Sequence, residues 1–138
     1  MKTLFSIAVL AVLLVAPSPC FALSVTVSVS KERAKKMGME VRSERTGPNH
    51  VRVELEFKIE GKLKDFSRVD LRIGERDNPS VTAPLREDRS KPGRVLVSFT
   101  ADRAQLDKMN LLLMVPESDG RTIYDLPVKD FVERGKGR

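Results

Sequence analysis

The sequence predicts an all-β domain: an antiparallel sandwich of two sheets, with about seven or eight short strands and one or two short helical turns. The strongest observation is the stretch Asn49 to Glu60, where Val51, Val53, Leu55, Phe57 and Ile59 alternate with Arg52, Glu54, Glu56, Lys58 and Glu60. Side chains on a strand point to opposite faces with period two, so this is one long strand with an apolar and a charged face. Similar alternations recur along the chain, separated by turn-forming residues. The clearest helix signal, Lys31 to Met37, covers only about two turns, too short to be the layer that covers a sheet. The apolar face of one sheet therefore requires a second sheet.

The N-terminal residues are read separately. Lys2 precedes Leu4 to Ala16, apolar apart from Ser6, and Pro17-Ser18-Pro19 then leads to Cys20-Phe21-Ala22. This pattern predicts a secretory signal peptide over 1–22, cleaved after Ala22. A membrane anchor is the competing reading, but the run falls short of the roughly 20 residues needed to span a bilayer. A lipidated Cys20 is disfavoured because Pro19 stands where lipoprotein processing needs a small residue. Cleavage removes the only cysteine, so the mature chain is expected to form no disulfide and no thiolate metal site. The expected organisation is a single β-sandwich domain over 23–132 and a flexible basic tail over 133–138. Location is expected to be exported, periplasmic or extracellular, and the short lysine-led signal suits a bacterium.

In chain order, Leu23 to Val29 alternates Val25, Val27 and Val29 with Ser24, Thr26 and Ser28, a first strand rich in β-branched residues. Ser30 caps the short helix, Glu32 lies in its first turn, and Gly38 ends it. Met39 and Val41 begin a second strand, joined by the Thr46-Gly47-Pro48-Asn49 turn to the long one as an antiparallel hairpin. Val69, Leu71 and Ile73 alternate with Arg68, Asp70 and Arg72 in a further half-buried strand. Asp77 to Ser80 forms a turn, Val81 to Leu85 is at best an edge segment because of Pro84, and Ser90 to Gly93 turns again. Val95, Val97 and Phe99 face the core, and Asp102 with Gln105 has capping-box spacing for one helical turn. Met109 to Val115 is apolar on both faces, Leu111, Leu113 and Val115 on one and Leu112 and Met114 on the other. The final strand runs from Arg121 to Leu126.

Strand number and domain size resemble the architecture of immunoglobulin and fibronectin type III domains. The resemblance lies only there: the chain has no Trp, and its one tyrosine, Tyr124, falls in the last strand.

Composition narrows the chemistry. His50 is the only histidine and adjoins a turn, so histidine metal sites and a serine relay lack partners. No catalytic, cofactor-binding or metal-binding residue is therefore assigned. Glu54, Glu56 and Glu60 share a strand face but have Arg52 and Lys58 beside them, with Arg68 and Arg72 expected across a neighbouring strand, so ion pairing is expected ahead of acid catalysis. Asp77-Asn78 and Asp119-Gly120 are read as turn formers, since neither belongs to a full calcium loop. The chain carries a formal charge of +6, mildly basic and interspersed in sign.

Two surfaces are singled out. Leu112 and Met114 are either covered by the chain itself, with a short helix as the expected cover, or are contacts for a partner. Lys31, Lys35 and Lys36, together with Arg86, Arg89, Lys91 and Arg94, form two loose basic groups that would attract a polyanion if they project together. Nucleic acid is not favoured, because no aromatic residues accompany the cations. The expected function is an exported, non-enzymatic module that binds a protein or serves as an envelope accessory. The alternative is polyanion binding, to an acidic glycan or lipid headgroup, and a carboxylate-only hydrolase ranks last.

Overall fold

The computed structural model describes residues 23–75 and 78–132; the expected signal peptide, the basic tail and Asp77 of the expected turn lie outside them. In chain order the elements are β1 (Leu23–Ser28), α1 (Lys31–Lys36), β2 (Met39–Arg45), β3 (His50–Lys58), β4 (Arg68–Gly74), β5 (Pro79–Pro84), β6 (Glu87–Asp88), β7 (Arg94–Asp102), β8 (Met109–Glu117), β9 (Gly120–Pro127) and α2 (Val128–Phe131). Short 3-10 turns span Gly61–Leu63 and Arg103–Lys108. A five-stranded sheet has the order β1-β9-β8-β4-β5, and a four-stranded sheet the order β2-β3-β7-β6. The chain is thus mostly β, in two predominantly antiparallel sheets with few short helices, consistent with an all-β sandwich.

The alternation in β3 explains the core. Val51, Val53, Leu55 and Phe57 are buried and join Val95 and Val97 of β7, Val69 of β4, Leu111, Leu113 and Val115 of β8, and Tyr124 and Leu126 of β9 in one cluster. Burial of each large aliphatic or aromatic side chain contributes about 1.5–3 kcal/mol, so this cluster is the main source of stability. Phe57 and Phe66 meet edge to face, with ring centroids 4.8 Å apart. Ala34 of α1, Leu63, and Val128 and Phe131 of α2 seal the ends of the same cluster.

Several expectations are corrected. β1 pairs with β9 in parallel, Leu23 opposite Gly120 and Ser28 opposite Asp125, so the first and last strands of the chain share an edge of the larger sheet. The long chain between them permits the same direction, which a tight turn would not. Asp102 caps its turn through Ala104, whose amide donates to Oδ1 at 3.0 Å, and the turn is 3-10 in place of a capping box with Gln105. The strands among the described residues number nine, because Glu87 and Asp88 add a two-residue rung opposite Val97 and Leu96 of β7. Arg68 and Arg72 belong to the larger sheet and cannot pair with the acids of β3. They pair instead with Asp70 at 3.3 Å and Asp125 at 3.2 Å.

β8 occupies the centre of the larger sheet, between β9 and β4. Leu112 and Met114 are buried, at 7% and 9% exposure, yet stand apart from the inner cluster. The short helices direct their buried residues into that cluster. Met114 instead meets arginine arms, with Arg68 Nε at 3.3 Å and Arg121 Nη1 at 4.0 Å from its sulfur. Leu112 lies in register between Asp70 and Asp125.

Candidate functional site

The outer face of the smaller sheet is a lattice of paired charge. Register places Arg42 opposite Glu54 and Glu40 opposite Glu56, and like charges directly opposed are unfavourable unless cations intervene. Arg42 intervenes, donating to Glu56 Oε2 at 3.1 Å and lying 3.7 Å from Glu54 and 3.6 Å from Glu40. Arg94 donates to the other Glu56 oxygen at 3.2 Å, Lys91 approaches it at 3.8 Å, and Arg52 takes Glu54 at 3.2 Å. The hydrogen bonds from Arg94 and then Arg42 hold the Glu56 carboxyl below the usual carboxylate range, against the opposing effect of burial. The bond to Glu56 in turn pushes the Arg42 guanidinium further up. A concavity of about 220 Å³ on this face is lined by Arg42, Ser43, Glu44, Arg52 and Glu54, whose charges largely neutralise one another.

This lattice divides the seven cations singled out in the sequence. Arg94 and Lys91 are committed to Glu56. Arg89 pairs with Glu87 at 2.8 Å and lies 5.5 Å from the Phe66 ring centroid. Asp88 accepts the Ser90 amide at 2.9 Å, which holds its carboxyl below the usual range and fixes the turn that carries Lys91. Arg86 is exposed between β5 and β6. Of the polyanion candidates, Lys31, Lys35, Lys36 and Arg86 form no ion pair among the described residues.

Lys35 and Lys36 border a cleft of about 510 Å³. Its position follows from the local chain. Ser30 Oγ accepts from the Arg33 amide at 3.2 Å, fixing the start of α1, and buried Ala34 pins the helix to the core. Gly38, at φ 77°, releases the chain into β2 in a conformation a side chain would resist. Opposite, β3 ends at Lys58 and Gly61, at φ 57°, opens the 3-10 turn. Arg33, Lys35, Lys36 and Lys62 form the cationic rim, Glu60 is the one acid, and Met37 and Leu63 give apolar lining. None of these four cations is ion-paired among the described residues.

Sequence reasoning missed Arg33 and Lys62. Arg33 stands within the same KERAKK run, but Lys62 is brought in only by the return of β3 to the start of β2, where Phe57 pairs with Met39. The second basic group reaches the same end of the sheet: Lys58 is opposite Arg94, and the Ile59 amide donates to Gly93 at 2.9 Å. His50 is exposed at the start of β3, opposite Asp102. Comparison with known families, curated proteins and solved structures finds no match.

Proposed function

We propose that this chain is an exported, non-enzymatic binding domain of immunoglobulin-like architecture, an accessory of the cell envelope, and that its cleft receives a polyanion such as an acidic glycan or an anionic lipid headgroup. One observation carries this reading. Arg42, Arg52, Arg68, Arg72 and Arg94 on the sheets each pair with a nearby acid, whereas Arg33, Lys35, Lys36 and Lys62, without an ion pair among the described residues, surround one cleft whose described lining has Glu60 as its only carboxylate. Unpaired positive charge around a concave surface attracts anions and raises their local concentration. Met37 and Leu63 add apolar surface that favours a ligand with an uncharged body beside its acidic groups.

The test is retention of the purified protein on a sulfated-polysaccharide matrix and on vesicles containing phosphatidylglycerol, across a salt series. Binding is expected to fall steeply with salt, because these charges are solvent-accessible and screened. Lys35→Ala, Lys36→Ala and Lys62→Ala combined should weaken it by about two orders of magnitude, at about 1 kcal/mol per cation near an anionic surface. Salt-independent retention, or retention unchanged in the triple variant, would refute the reading. A second reading, contact with another envelope protein, is favoured by the exposed Leu23, Val25 and Val81 on the edge strands of the larger sheet. Recovery of a specific protein from the native envelope, lost on substituting these residues, would support it.

A further inference from the structure

An edge strand presents unpaired backbone groups, and natural sheets blunt such edges with charge, proline, bulges or shortness. Three of the four edges here are blunted. β2 carries Glu40, Arg42, Glu44 and Arg45. β5 begins and ends in proline, and its pairing with β4 shifts register at Ile73 and Gly74. β6 is two acidic residues long. β1 has none of these devices: its six residues, LSVTVS, contain no charge and no proline, and the register with β9 is unbroken.

The free groups of β1 can be assigned. The Leu23 amide donates to Asp119 at 3.2 Å and the Val29 amide to Asp125 at 2.9 Å, so odd-numbered residues direct their backbone groups to β9. By alternation, Ser24, Thr26 and Ser28 direct theirs to the edge that has no neighbouring strand among the described residues. On the inward-facing side, Leu23 is 70% and Val25 56% exposed, beyond the reach of the core that Val27 joins.

We infer that β1 is a self-association edge, and that its occupant is β1 of a second copy of this chain, paired antiparallel about a twofold axis at Thr26. In that register Thr26 faces Thr26, and Ser24 faces Ser28 of the second copy, so every outward backbone group of the strand gains a partner. Val25 then faces Val27 of the second copy. Apolar meets apolar, hydroxyl meets hydroxyl, and no charge meets its like, the self-complementarity an isologous interface requires. The joined strands make one continuous sheet across both copies. The contact is small beside the roughly 1,200 Å² of standard interfaces, so half-dissociation falls in the micromolar to millimolar range, on the order of 10⁻⁶–10⁻³ M. The inference is independent of the anion-binding cleft, which lies on α1 and the β3 terminus.

Sedimentation of the purified protein over a concentration series tests it. A monomer–dimer equilibrium is expected that does not weaken as salt rises, because the pairing residues are uncharged and screening reduces repulsion between two basic molecules. Thr26→Pro removes an outward amide without touching the β9 ladder, and proline is tolerated on edges. It should weaken dimerisation by about tenfold or more, with an unchanged melting temperature. Thr26→Lys keeps the backbone intact and opposes two lysines at the axis, so its loss of dimer should be reversed by salt. A wild-type monomer at every concentration, a dimer dissolved by salt, or full dimerisation by Thr26→Lys at low salt would overturn the inference.

Discussion

At the scale of single residues, position in the register decides what a charge does. Glu56 stands between Arg42 and Arg94, with Lys91 nearby, and its carboxyl is held below the usual range mainly by the two arginine hydrogen bonds. A carboxyl whose folded value is depressed stabilises the fold above its unfolded value, and that contribution disappears as pH falls through the folded value. The melting temperature should therefore drop on acidification below about pH 4.3, the ordinary glutamate value, and Glu56→Gln should flatten that part of the curve while lowering the neutral-pH plateau. Identical acid limbs in the two proteins would show that the pairing carries no linkage. Leu112 shows the converse. It separates Asp70 and Asp125 in register, both buried, and Asp125 is already held by Arg72 at 3.2 Å and Asn110 at 2.6 Å. Leu112→Glu would set a third carboxylate between them in a site only 7% exposed, and should destabilise the fold by on the order of several kcal/mol. Thermal or denaturant unfolding reads this directly, and an unchanged midpoint would show that the face is open to solvent.

At the scale of elements, legibility in the sequence follows the range of the interactions involved. α1 was readable because Ser30, Glu32, Ala34 and Gly38 are all local signals, and each takes its expected place. The β2–β3 hairpin was readable because one short turn fixes its register, Met39 opposite Phe57 through Arg45 opposite Val51. Long-range pairing was not. Alternation shows that Arg68 and Arg72 share a strand face but says nothing about which sheet receives them, so the sequence alone does not distinguish the acids of β3 from Asp70 and Asp125 as their partners. Likewise the polar face of β4 reads as solvated, yet Asp70 is 2% and Arg72 9% exposed. The cleft was half legible for the same reason. The cations of α1 are contiguous, whereas Lys62 reaches them only because β3 returns beside β2. α2 was missed because Val128 and Phe131 make too short an apolar pattern to separate from the end of β9.

For the whole molecule, the consequence of the topology is uneven stability. β3, β7 and β8 lie between neighbours on both sides and carry the fully buried Val53, Leu55, Phe57, Val95, Val97, Leu111 and Leu113. β1 has one neighbour among the described residues, the sequence-distant β9, and most of its residues are exposed. Segments with few buried contacts open at low free energy, without global unfolding. The docking of β1 also depends on Gly120, at φ 155°, where an added Cβ would overlap the Leu23 carbonyl. Hydrogen exchange in the native state should therefore show the amides of Val53, Leu55, Val97 and Leu113 exchanging only through global opening, while those of Val25 and Val27, bonded to β9, exchange much faster. Gly120→Ala should raise exchange in β1 and the Gly120 end of β9, with a loss of on the order of 1–3 kcal/mol in local stability from steric conflict and strained backbone. The central amides should keep their protection factors. Loss of protection across both sheets together would mean that β1 is an integral part of the cooperative unit, and the separation between a stable two-sheet core and a detachable first strand would fail.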